Sequence, residues 1–227
     1  MSGTRSSGLL ALGGIALAAV LAVVGHLEVN DNLNPWSLTV SDFAVSDRGG
    51  VIDAAMAVLA AATIILLPAL RRAGAGPLAG ALLVAWSAGL MAAAVVPTNE
   101  PGLPMDAAAY VHRYASVVAF LALPVAGWLL ARRLGGRAAG WVRGLVLTSL
   151  VLAAAMVWSA YPGDRVLIGL AERLLILAEV ALLAVVAGTL LRHQIGEVAV
   201  PRLREHPHLA ELAAPAQDRE LTPARGA

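Results

Sequence analysis

The stretch 167-LIGLAERLLILAEVALLAVVAGTL-190 decides how this chain is to be read. At about 1.5 Å of rise per residue it reaches across the ~30 Å hydrocarbon core of a bilayer as a helix. Apart from Glu172, Arg173 and Glu179 it is apolar on every face, so it lacks the polar stripe of a helix lying on a soluble core. Five further stretches of the same length and character lie at about 8–27, 50–70, 77–97, 109–131 and 141–161. The fold class expected is therefore all-α: a six-transmembrane-helix bundle over 1–192, an integral, multi-pass membrane protein, followed by a tail over 193–227. The tail mixes Pro, Glu, Arg, His and Ala without apolar periodicity, which predicts no fixed structure beyond a short helix near 208–214.

Composition agrees. Hydrophobic residues make up 59% of the 227 residues and charged residues 14%, against about 25% charged in a soluble domain. Mean hydropathy is +0.77. The net charge of +1 leaves no basic footprint, so no nucleic-acid partner is expected. The absence of cysteine excludes disulfides, thiolate metal sites and cysteine nucleophiles. The first stretch follows Arg5 as a signal peptide would. It is long for a signal's apolar region and no A-x-A site precedes a polar domain, so it is read as a retained span.

Charge is segregated between the two ends of the spans. One end receives Arg5, Arg71 and Arg72, then Arg132, Arg133, Arg137 and Arg143, and then the tail from Arg192. The other end holds Glu28, Asp31, Asp42, Asp47, Glu100, Asp106 and Asp164 against Arg48 and Arg165. Arginine-rich loops stay in the cytoplasm. The expectation is thus a plasma-membrane protein with both termini cytoplasmic and its acidic loops outside. Pro77 suits a first helical turn, Pro97 and Pro162 stop the spans before them, and Pro68 and Pro124 are expected to kink theirs. No internal repeat is visible, so an inverted-repeat transporter is not supported.

The longest loop, 25-GHLEVNDNLNPWSLTVSDFAVSDRGG-50, is expected either to cover the bundle or to act as a binding lid. Leu38, Val40 and Phe43 are the side chains that would pack it down. Asp42 is a candidate cap, and Asp47 or Ser46 is placed to begin the second span.

Ionisable residues inside spans are costly and are functional candidates by default. Here they are Asp53 in the second span, His112 and Arg113 in the fourth, and Glu172, Arg173 and Glu179 in the sixth, with Asp164 just before it. These seven are the candidate ligand- or proton-binding residues. Glu172 and Glu179 stand two turns, about 10 Å, apart on one face. Arg173 points elsewhere, toward a partner such as Asp53 or Asp106. Buried ion pairs that fix helix register are the alternative to a polar pocket. His112 with Asp106, Asp164 and Glu172 could supply a metal or acid–base set, and Ser116 lies one turn beyond His112. No H-E-x-x-H, H-x-x-x-H or G-x-S-x-G spacing is present, and no histidine pair suits haem, so no metal, cofactor or catalytic residue is assigned.

Several short motifs fall in a fixed order along the spans. Asn34-Pro35 and Ser41-Asp42-Phe43 follow the first. Pro97-Thr98-Asn99-Glu100 leads to His112 and Ala115-Ser116, and Tyr161-Pro162-Gly163-Asp164 leads to Gly169, Glu172 and Arg173. Over about 8–192 this order resembles the DUF998 family of six-helix membrane proteins. The resemblance implies the fold and a grouping of the polar residues at one end, and no reaction. The function expected is an outward-facing polar pocket for a lipid headgroup, small molecule or ion. The alternatives are an accessory subunit of a membrane complex and, less favoured, an intramembrane hydrolase or transferase. Partners expected are membrane lipids and a second membrane protein. The sequence fixes no oligomeric state.

Overall fold

In the computed structural model the described backbone comprises residues 2–27, 33–45, 49–100 and 102–205. The elements are α1 (Ser2–Leu27), α2 (Val40–Ala44), α3 (Gly49–Arg72), α4 (Pro77–Val95), α5 (Ala107–Ala131), α6 (Gly136–Ala160) and α7 (Ile168–Glu205). All are helices, and no strand occurs among the described residues. Six of them are long and apolar enough to cross a membrane: Ser6–His26, Gly50–Arg72, Pro77–Val95, Ala107–Ala131, Gly136–Ala160 and Ile168–Arg192. These are the six stretches read from the sequence, to within a few residues at each end.

Two compact units are distinguished, Met1–Leu190 and Leu191–Ala227. In the second, helical backbone continues to Glu205, into the region that composition alone gives no reason to order. The expected short helix at 208–214, and the start of the second span at Ser46 or Asp47, lie outside the described residues.

Within the first unit, neighbours in sequence are largely neighbours in space: α1 packs on α3, α3 on α4, α4 on α5 and α5 on α6. The helix α7 supplies Leu182, Leu183, Val186 and Leu190 to one core shared with Ile15, Leu66, Leu83, Trp86, Leu123 and Val142. Small residues allow this closeness. A Cβ on Gly89 of α4 would stand 2.6 Å from the carbonyl oxygen of Ala115 on α5, so the two backbones touch there, as membrane helices with small residues do. Pro68 and Pro124 both sit inside continuous helices, α3 and α5, and neither ends its helix.

The helix α6 buries the least: 17% of its spanning window lies inside the fold, against 44% for α3, α5 and α7. Trp141, Val151 and Trp158 stand out from it. Such a surface is costly in water and costs nothing against lipid tails.

The long loop is not featureless. Thr39 caps the five-residue helix α2: its hydroxyl accepts from the Asp42 amide at 3.2 Å, and the Asp42 carboxylate accepts from the Thr39 amide at 2.7 Å. This reciprocal pair is a capping box. Phe43 is then turned inward, 3% exposed, onto Ile52 of α3, with Leu33, Leu38, Val40 and Met56 around them. Burying such a ring contributes about 2–3 kcal/mol. Residues 33–45 therefore form a seated lid over the acidic-loop end of the bundle.

Candidate functional site

The first turn of α7 and the lid complete each other's hydrogen bonds. A helix start leaves its first amides without partners, and here those of Gly169 and Leu170 donate to the Trp36 carbonyl at 3.0 and 3.4 Å. In return, the Glu172 carboxylate accepts from the amide of Val40, the first residue of α2, at 2.5 Å. An acid at a helix N-terminus is favoured by the exposed amides there. Arg173 Nη1 donates to the carbonyls of Pro35 and Leu38, each at 2.8 Å, and to that of Gly169 at 3.0 Å. The guanidinium carbon lies 4.8 Å from the centre of the Phe43 ring, in cation–π range.

Gly169 is the residue that permits this fit. A Cβ there would meet Leu38 O at 2.1 Å, Pro35 O at 2.5 Å and Arg173 Nη1 at 2.8 Å. No side chain can be accommodated without moving the lid.

A second fastening comes from α5. His112, 4% exposed, bonds Val96 O through Nδ1 and the Ser41 hydroxyl through Nε2, both at 2.9 Å. A carbonyl can only accept, so Nδ1 carries the hydrogen. Asp53 of α3 is half-buried and near enough for electrostatic coupling to His112. At the rim, Arg165 pairs with Asp42 at 3.2 Å, which ties the lid to the turn before α7. In that turn Asp164 and Arg165 adopt left-handed backbone, φ 47° and 60°, and Asp164 is exposed.

Two nitrogens under the lid are left over. His26, at the end of α1, stacks on Phe43 with centroids 5.2 Å apart and rings inclined at 28°. Its Nδ1 donates to Ala22 O at 2.7 Å. Its Nε2 and Arg173 Nη2 are buried and have no hydrogen-bond partner among the described residues.

Glu179 is separate. It is 3% exposed and accepts at 3.3 Å from the indole Nε1 of Trp86, itself 2% exposed. Its other oxygen, Oε1, has no partner among the described residues.

Of the seven sequence-stretch candidates, the fold gathers Asp53, His112, Glu172 and Arg173 at the lid. Glu179 lies deeper, and Arg113 and Asp164 face outward. Arg173 does not meet Asp53 or Asp106: its guanidinium takes backbone carbonyls, and Asp106 caps α5 by accepting from the Ala109 amide at 2.8 Å. Ser116 donates to the backbone carbonyl of His112, not to its ring. Among the described residues no three His, Asp or Glu side chains converge as metal ligands. Sequence reading missed Gly169 as part of the site; His26 was legible there only as one more polar residue able to converge with Asp164 and Arg165 at that end. The Thr39-x-x-Asp42 spacing was the available signal for the capping box.

A bundle of six spanning helices, closed at one end by a lid that the last helix grips, defines a polytopic integral membrane protein. More particularly, the chain belongs to the DUF998 family, described as a protein of unknown function, whose model matches residues 11–189. No curated protein and no solved structure matched the chain.

Proposed function

We propose that this protein binds a polar headgroup, small molecule or ion at the lidded end of its bundle, and that this end faces outward from the plasma membrane. The arginine-rich loops at the opposite end support that orientation, because such loops are retained in the cytoplasm. The observation that carries the binding reading is the lid itself. Glu172, Arg173 and Gly169 of α7 and His112 of α5 each make hydrogen bonds to residues 33–45, which hold the lid over the bundle. Costly intramembrane ionisable groups are thereby concentrated at the lidded end of the bundle, which supports reading that end as the place of function.

Native mass spectrometry of the protein in mild detergent tests this reading. The wild-type chain is expected to carry a non-protein species of discrete mass that Arg173→Ala loses while remaining folded. A wild-type chain that carries nothing beyond exchangeable detergent would sink the proposal. The exposed face of α6, with Trp141, Val151 and Trp158, is where an accessory-subunit role would rest. The same spectra read that alternative, against which a lone monomer counts.

A further inference from the structure

We infer that His26 Nε2 and Arg173 Nη2, on two groups packed against the Phe43 ring, form a binding site for a phosphate-type oxyanion. The inference rests on the binding reading above and names the ligand chemistry. Buried polar atoms in folded proteins almost always have partners, and an unpaired one signals a missing ion, water or ligand. Here two buried nitrogens, Arg173 Nη2 and His26 Nε2, lack partners among the described residues, and both belong to groups packed on the same Phe43 ring. Arg173 also lies close enough for its charge to act on His26.

The atoms state what they would accept. Nη2 offers N–H donors, and the planar guanidinium suits a phosphate oxygen. The ring of His26 already donates through Nδ1 to Ala22 O. Its Nε2 therefore carries a lone pair in the neutral ring and accepts an O–H from the ligand. A monoprotonated phosphate supplies both an oxygen for Arg173 and an O–H for His26.

The charges around these two nitrogens point the same way. Glu172 stands as counter-charge to Arg173, and Asp42 is paired with Arg165. The site thus has spare hydrogen-bonding capacity rather than a large spare positive charge, which suits a ligand that brings its own proton. The place is the end of α1 and the first turns of α7, where a phospholipid phosphate sits in a bilayer.

The phosphate can belong to a lipid or be free, and the test separates the two. Purified full-length protein is reconstituted in nanodiscs of phosphatidylcholine, with phosphatidic acid or with inorganic phosphate added, and retention is read by native mass spectrometry and by thermal shift. The phosphodiester of phosphatidylcholine offers Arg173 an oxygen but has no O–H for His26, so that one bond predicts about tenfold preference for phosphatidic acid, or for inorganic phosphate, over phosphatidylcholine alone. Preference for the lipid identifies a headgroup site, and preference for the inorganic ion a soluble ligand; both support the inference.

His26→Phe keeps the stack on Phe43 and removes Nε2, together with the Nδ1 bond to Ala22 O within α1, which does not touch the lid. It is expected to lower that preference about tenfold without loosening the lid. Equal retention of phosphatidic acid, phosphate and phosphatidylcholine by the wild-type chain would overturn the inference, as would full retention by His26→Phe. A discrete Arg173-dependent species that contains no phosphate would overturn it too, while leaving the broader binding reading intact.

Discussion

Replacing Gly169 by alanine adds one carbon where the lid rests on α7. That carbon would stand 2.1 Å from Leu38 O and 2.5 Å from Pro35 O, far inside contact distance, so the lid backbone must lift. Lifting breaks the bonds from Arg173 to Pro35 O and Leu38 O and the bond from the Gly169 amide to Trp36 O. Hydrogen bonds to a charged group contribute about 1.5–3 kcal/mol each and a neutral one about 1 kcal/mol. Alanine is itself a better helix former by about 1 kcal/mol, which acts in the opposite direction. The net loss of lid docking is about 3–6 kcal/mol, or about 10²–10⁴-fold more open lid at about 1.4 kcal/mol per decade.

Because the chain has no cysteine, Leu38→Cys gives a single reporter. Its side chain is partly buried, and its backbone carbonyl, which Arg173 grips, is unchanged by the substitution. When opening is fast and labelling slow, the maleimide reaction rate follows the open population. Adding Gly169→Ala should accelerate it at least about a hundredfold. An acceleration below about tenfold, in a variant that still elutes as folded protein, would refute the docking of the lid on α7.

Three further outcomes are expected. Ser41→Ala removes the bond to His112 Nε2 and should raise the same labelling rate roughly fivefold, the equivalent of about 1 kcal/mol; an unchanged rate removes His112 as a lid fastening. Glu179→Gln keeps an acceptor for the Trp86 indole, whereas Glu179→Leu strands that buried donor. Thermal unfolding in detergent should show the leucine variant weaker by about 1–3 kcal/mol and the glutamine variant near wild type, and equal losses would contradict the pairing. In single-tryptophan variants, brominated lipid should quench Trp141 and Trp158, which are 67% and 62% exposed, and spare Trp86 at 2%; strong quenching of Trp86 would place α4 on the wrong side of the bundle.

The spans were legible because length and apolarity are local properties. Each of the six could be read without reference to the others, and only their ends shifted, as where α4 stops at Val95 one turn or less before Pro97. The seating of the lid was partly legible: Phe43 and Val40 showed as apolar points in a polar loop, and Thr39 and Asp42 stood at capping-box spacing. What Arg173 binds was not. Sequence reasoning looks for acids opposite a buried arginine, but backbone carbonyls satisfy a guanidinium equally well and carry no residue signature. Pro35 O and Leu38 O are presented by the fold of the loop, across a sequence separation of 138 and 135 residues. The same holds for Gly169, whose importance lies in what approaches it, and for His26, which the chain places against Phe43 only once α1 and the lid have packed on α3.

The central claim is that the lidded end of the bundle faces outward and the arginine-rich end inward. Asn34→Cys on the lid and Ala73→Cys in the turn after α3 are both at exposed positions in a chain with no other cysteine. A membrane-impermeant maleimide applied to intact cells is predicted to label Asn34→Cys and to reach Ala73→Cys only after the membrane is opened. The reverse pattern, with Ala73→Cys labelled in intact cells and Asn34→Cys protected, would contradict the account.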